Sequence, residues 1–159
     1  MIIKVQMPNE TVAREERRAP GTMDLDSLRW CFCARIDFVE SNATITLPEA
    51  SLLGFIEQLS LAQAELRRCS PGGTKEAIIR DYEGSFELTI RKDGHGGLTL
   101  KEASGAQSLA TTENEFVSAV RSVVNEACAV VESTFPALLR NPHYQSMIQE
   151  IQARIEAQL

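Results

Sequence analysis

An α+β fold is expected from this sequence: an antiparallel sheet of about five to six strands, two amphipathic helices packed on one face, and an extra C-terminal helix. Three observations predict it. Ser85-Phe-Glu-Leu-Thr-Ile-Arg91 alternates apolar and polar residues, so Phe86, Leu88 and Ile90 share one face of a half-buried strand. Asp93-Gly-His-Gly-Gly97 reads as a turn, after which Leu98 and Leu100 resume the alternation. Thr112-x-x-Glu115 then has the spacing of a capping box, with an amphipathic helix behind it.

The elements follow in order. Residues 2–7 suit a short first strand. Residues 8–27 form a long polar connection carrying Pro8, Pro20, Gly21 and the charge run Arg14-Glu-Glu-Arg-Arg18, long enough to be either mobile or part of a contact surface. The charge run itself suits either one or two helical turns or a solvated stretch. Residues 28–39 are the longest strand candidate, with Trp30, Phe32, Ala34, Ile36 and Phe38 on its core face. Glu40-Ser41-Asn42 is turn chemistry, and residues 43–47 return as a hairpin partner.

Pro48 and Glu49 suit the first turn of a helix whose stripe is Leu52, Phe55, Ile56, Leu59, Ala62, Leu66 and Cys69. Pro71-Gly72-Gly73 stops it. Residues 77–82 and 85–91 make a hairpin around Glu83-Gly84, residues 97–102 add a strand, and residues 108–111 a short one. The helix after Thr112 buries Phe116, Val120, Val123, Val124, Ala127, Cys128, Val131 and Phe135. It is rich in Val, a poor helix former, so packing must hold it. Asn141-Pro142 supplies an N-cap and an N1 proline for a last helix, with the stripe Tyr144, Met147, Ile148, Ile151, Ile155 and Leu159. One domain over residues 1–159 is expected, with residues 141–159 as an appended C-terminal helix.

Composition narrows the function. The formal net charge is −6, with residues 1–35 at +1 and the remainder at −7. An acidic body argues against nucleic acid as a ligand and suits docking on a basic protein. No signal peptide and no apolar run of membrane-spanning length is visible, so a cytoplasmic protein is expected. The four cysteines, Cys31, Cys33, Cys69 and Cys128, do not read as a disulfide framework. Cys31-x-Cys33 lacks a second pair at zinc-ligand spacing, so no metal is expected and the thiols read as packing residues. His95 has Asp93 nearby but no nucleophile to pair with, and Ser70-Pro-Gly-Gly-Thr-Lys75 lacks the phosphate-loop spacing. No catalytic residue and no cofactor is expected.

Leu52-x-x-Phe55-x-x-x-Leu59, Ser85-Phe-Glu-Leu-Thr-Ile90, Gly94-x-Gly96-Gly-Leu-Thr-Leu100 and Ser108-Leu-x-Thr-Thr-x-Asn-Glu115 occur in an order that resembles small bacterial immunity proteins of the WapI-like group, from polymorphic and contact-dependent toxin systems. The resemblance covers about residues 28–132. It implies a non-enzymatic protein that binds and neutralises a cognate toxin in the producing cell. The matching positions are core and turn positions, so no functional residue carries over. The alternative is a small acidic secretion or assembly chaperone that holds a segment of an effector protein. The expected partner surface is the hairpin tips Tyr82-Glu83 and Asp93 to His95, together with Tyr144. The last helix offers either packing on its own domain or a homodimer surface.

Overall fold

The computed structural model describes residues 1–82 and 84–157. The period-two segments become seven strands in two antiparallel sheets, where one sheet of five to six is expected. β1 (Ile2–Gln6), β2 (Cys33–Glu40) and β3 (Ala43–Ser51) form a three-stranded sheet in that order. β4 (Lys75–Arg80), β5 (Glu87–Lys92), β6 (Gly97–Glu102) and β7 (Ser108–Thr112) form a four-stranded meander. β7 approaches β3 and β2, but among the described residues no ladder joins the sheets. Pro48 removes a main-chain donor from β3, and the register slips between Ala34 and Ile36.

The alternating apolar residues point one way. Leu88 and Ile90 on β5, Leu98 and Leu100 on β6, and Leu109 on β7 are all buried. Against them lie α3 (Leu52–Arg67) and α4 (Glu113–Thr134). α3 is the central helix, touching β3, β4, α4 and two further helices described below, and it is buried around most of its circumference. Pro48 and Glu49 belong to β3, so α3 starts at Leu52, later than the proline signal suggests. α4 opens on the expected capping box. The Glu115 N–H donates to Thr112 Oγ1 at 3.3 Å, and Glu115 Oε2 accepts from the Thr112 N–H at 3.0 Å.

The polar stretch 8–27 is not a loop. It holds α1 (Asn9–Glu16), a 3₁₀ turn (Pro20–Thr22) and the start of α2 (Leu25–Trp30). Glu15 is buried beside Arg14 at 2.8 Å and Arg18 at 3.9 Å, so three residues of the charge run pair with one another. α2 begins at Asp24, whose carboxylate accepts the Ser27 N–H at 2.8 Å. The strand expected from residue 28 therefore starts only at Cys33. Between helix and strand, Phe32 takes φ +61°, a conformation that costs a bulky side chain energy. Its ring is buried edge-on to Phe135 at 5.1 Å, and its carbonyl accepts the Leu52 N–H at 3.2 Å at the start of α3. Trp30 consequently leaves the core and is 47% exposed.

The last helix, α5 (Pro142–Glu156), lies on α3 and α2. Met147, Ile148, Ile151 and Ile155 are buried in the common core, while Leu159 lies outside the described residues. The described part of the apolar stripe is covered by this chain itself. Asn141 Oδ1 accepts from the N–H groups of His143 at 2.9 Å and Tyr144 at 3.1 Å. Its Nδ2 donates to the carbonyls of Pro20 at 2.9 Å and Met23 at 2.8 Å. One buried amide thus caps α5 and anchors the N-terminal segment. Among the described residues, no helix is long and apolar enough to cross a membrane.

Candidate interaction surface

With one face of the four-stranded sheet committed to the core, the pleat sends the other residues outward. Glu76, Ile78 and Arg80 on β4, Thr89 and Arg91 on β5, and Thr99 and Lys101 on β6 share that outer face. The register sets Ile78 opposite Thr89 and Thr89 opposite Lys101; Glu76 lies opposite Arg91 and Arg91 opposite Thr99. A shallow concavity runs between Thr74, Glu76, Thr89, Arg91, Asp93, Thr99 and Lys101. At the far end of β4, Arg80 Nε reaches Glu87 Oε2 at 2.7 Å.

Beside that end lies an aromatic pair. The rings of Trp30 and Tyr82 sit 5.5 Å apart at 31°. Tyr82 lies so close to α3 that a Cβ on Gly54 would come within 2.6 Å of its Cε2. Burial pushes the Tyr82 phenol above its ordinary pKa. Trp30, Leu61, Ile78 and Tyr82 make up four of the six exposed large apolar side chains among the described residues. They fall on α2, α3, β4 and the turn after it, around one border of the sheet.

The residues expected to form one partner surface are not brought together. Tyr82 lies past the C-terminal end of β4, at one end of β5, and Asp93 to His95 lie at the other. At about 3.4 Å per residue, that places them roughly 20 Å apart. Glu83 lies outside the described residues. Asp93 Oδ1 accepts the main-chain N–H groups of His95 at 2.8 Å and Gly97 at 2.9 Å, which holds its carboxyl below the usual range and fixes the turn. The His95 side chain is exposed. Tyr144, expected at the surface, is 2% exposed, and its hydroxyl donates to Glu132 Oε1 at 2.9 Å. Desolvation raises the Tyr144 phenol well above its ordinary value and pushes the neighbouring Cys128 thiol up to about 11.

Cys31 and Cys33 lie beside arginines of the N-terminal segment. Arg18 Nη1 donates to Cys31 Sγ at 3.2 Å, and burial pushes the Cys31 and Cys33 thiols up against the pull of Arg18 and Arg14. Among the described residues, no group of three or more His, Cys, Asp or Glu is placed to hold a metal ion. The sequence reading missed Trp30, Leu61 and Ile78. A signal existed for the last two: Leu61 falls off the stripe of its helix, and Ile78 falls off the alternation in Ala77-Ile78-Ile79. No family model, curated protein or solved structure matches the chain.

Proposed function

We propose that the protein is a non-enzymatic binding protein that holds another folded polypeptide on the outer face of β4–β7, and that it neutralises a cognate toxin as an immunity protein. The observation that supports the reading is the uncovered sheet face. It offers threonines, which desolvate readily, among charges of both signs: Glu76, Arg80, Arg91 and Lys101. Such a surface gives specificity through matched charges. The acid of the chain is not concentrated there, so a partner with a mixed-charge surface fits it better than a purely basic one. The segments that carry the resemblance build the first half of α3, β5, β6, β7 and the start of α4.

Co-expression with the product of the neighbouring gene tests the reading. Cells carrying a toxic neighbour should grow when this chain is present. Thr89→Arg and Thr99→Arg should abolish both protection and the isolated complex while leaving the thermal melt in place. A neighbour that still kills at full expression of this chain removes the immunity role. Full protection by both variants removes the face.

A further inference from the structure

We propose that two copies of this chain associate edge to edge through β4, antiparallel, about a two-fold axis at Ile78. β4 is the outermost strand of its sheet. The Asp81 N–H donates to the Phe86 carbonyl at 3.2 Å, and the register pairs Ala77 with Ile90 and Ile79 with Leu88. The odd-numbered residues therefore bond to β5, and Glu76, Ile78 and Arg80 turn their main-chain groups outward. Among the described residues, those of Glu76 and Ile78 have no partner. Those of Arg80 are held by one side chain: Gln58 Nε2 donates to the Arg80 carbonyl at 2.7 Å, and the Arg80 N–H donates to Gln58 Oε1 at 3.0 Å.

What distinguishes this edge is its self-complementarity. With Ile78 opposite Ile78 of the second copy, each Ile78 exchanges both main-chain bonds with the other. Glu76 of each copy then falls opposite Arg80 of the other. All three side chains share the outer face, so two Glu–Arg pairs flank an Ile–Ile pair, an isologous arrangement. Apolar surface lies on both sides of the axis. Ile78 is 41% exposed on the outer face. On α3, Leu61 is 48% exposed, midway between Gln58, bound to Arg80, and Glu65, paired with Lys75 at 3.4 Å.

β1, one of the two outer strands of the other sheet, carries Lys4 at its centre, where a two-fold would oppose two ammonium groups. β4 has no such guard. The Gln58 amide imitates the peptide of the missing strand at Arg80. On association the Glu76 main chain of the second copy takes over both bonds, so the Arg80 main chain stays paired and the Gln58 amide is released to water. Thr89, Arg91, Thr99 and Lys101 of the outer face stay open in this dimer, and the association of the chain with itself is measured apart from the toxin reading.

Sedimentation velocity on the full chain tests the proposal. The wild-type chain should show a concentration-dependent dimer. Glu76→Arg, which leaves the in-chain Arg80–Glu87 pair intact, and Arg80→Glu should each raise the dimer dissociation constant on the order of ten-fold, because two attractive cross-strand pairs become repulsive. An equimolar mixture of the two variants should recover wild-type association, since both pairs are attractive again in the heterodimer. A mixture that stays monomeric overturns the proposal. So does a wild-type chain that is monomeric at its highest soluble concentration. A monomer that instead pairs with an extended segment of another protein overturns it in favour of a client strand on the same edge.

Discussion

Arg29 and Glu57 meet across the junction of α2 and α3, where Arg29 Nε and Nη2 donate to the two oxygens of the Glu57 carboxylate at 2.7 and 2.8 Å. Glu57 is buried. The fork fixes the C-terminal turn of α2, and with it the position of Trp30 over Tyr82.

Arg29→Met should destabilise the protein by about 1–3 kcal/mol, less than a fully buried pair because the arginine keeps contact with water. Urea unfolding followed by fluorescence checks this. Trp30 is the only tryptophan, so its native emission should also shift to the red as the aromatic pair loosens. An unchanged midpoint and spectrum would mean that the ion pair does not position the ring.

Gly54→Ala should lower the melting temperature although alanine is the better helix former by about 1 kcal/mol. A Cβ there would come within 2.5 Å of the Arg29 carbonyl and 2.6 Å of the Tyr82 ring. Forcing α2 and Tyr82 away from α3 costs about 1–3 kcal/mol. Calorimetry decides the sign, and a raised melting temperature would show that the contact yields freely.

Two helix caps should separate in size. Thr112→Ala removes the hydroxyl half of the capping box, leaving the main-chain bond to Glu115, and should cost about 1 kcal/mol. Asn141→Ala removes four bonds from a buried site and leaves the Met23 carbonyl without its donor, for about 2–4 kcal/mol. Equal unfolding midpoints for the two variants would contradict the bridging role of Asn141.

The acid limb of stability should depend on Asp93. Main-chain N–H groups, first that of His95 and then that of Gly97, hold its folded pKa below the ordinary 3.8. Asp24 is lowered in the same way by the Ser27 N–H, and Glu115 by the Thr112 N–H. A depressed carboxyl contributes stability above its unfolded pKa and loses it as pH falls through the folded value, so stability should decline below about pH 4. Asp93→Asn keeps an acceptor for both N–H groups and removes one titrating group. Urea titrations against pH should then show a shallower acid limb, and an unaltered slope would exclude Asp93 from it.

Contiguous signals were legible in the sequence. The Thr112–Glu115 box and the Asn141-Pro142 cap lie within three residues and need no distant partner to be read. Leu88, Ile90, Leu98 and Leu100 were likewise legible as one buried face. Residues 28–32 were not. Trp30, Phe32 and Ala34 fit a strand face, but the cap from Asp24 to Ser27 competes with that pattern and takes residues 25–30 into a helix. Phe32 completes the change with a φ that no periodicity encodes.

The site was harder to read because exposure depends on what lies opposite. Tyr144 lies on the stripe of an amphipathic helix, and only the placement of α5 on α3 shows that it is covered. Ile78 and Leu61 lie on elements whose remaining apolar residues are buried, and only the assembled border separates them. The division of the strands into two sheets rests on non-local pairing, which alternation does not specify.

The Asn141 amide also sets an order of events. Its donors close onto Pro20 and Met23, carbonyls 121 and 118 residues earlier in the chain. During synthesis at about 5–20 residues per second, those carbonyls leave the ribosome on the order of ten seconds before their partner is made. Over that interval the early segment lacks its anchor, and both sheets can form before it docks. Arrival of Asn141 then ties residues 20–23 to the start of α5 in one step.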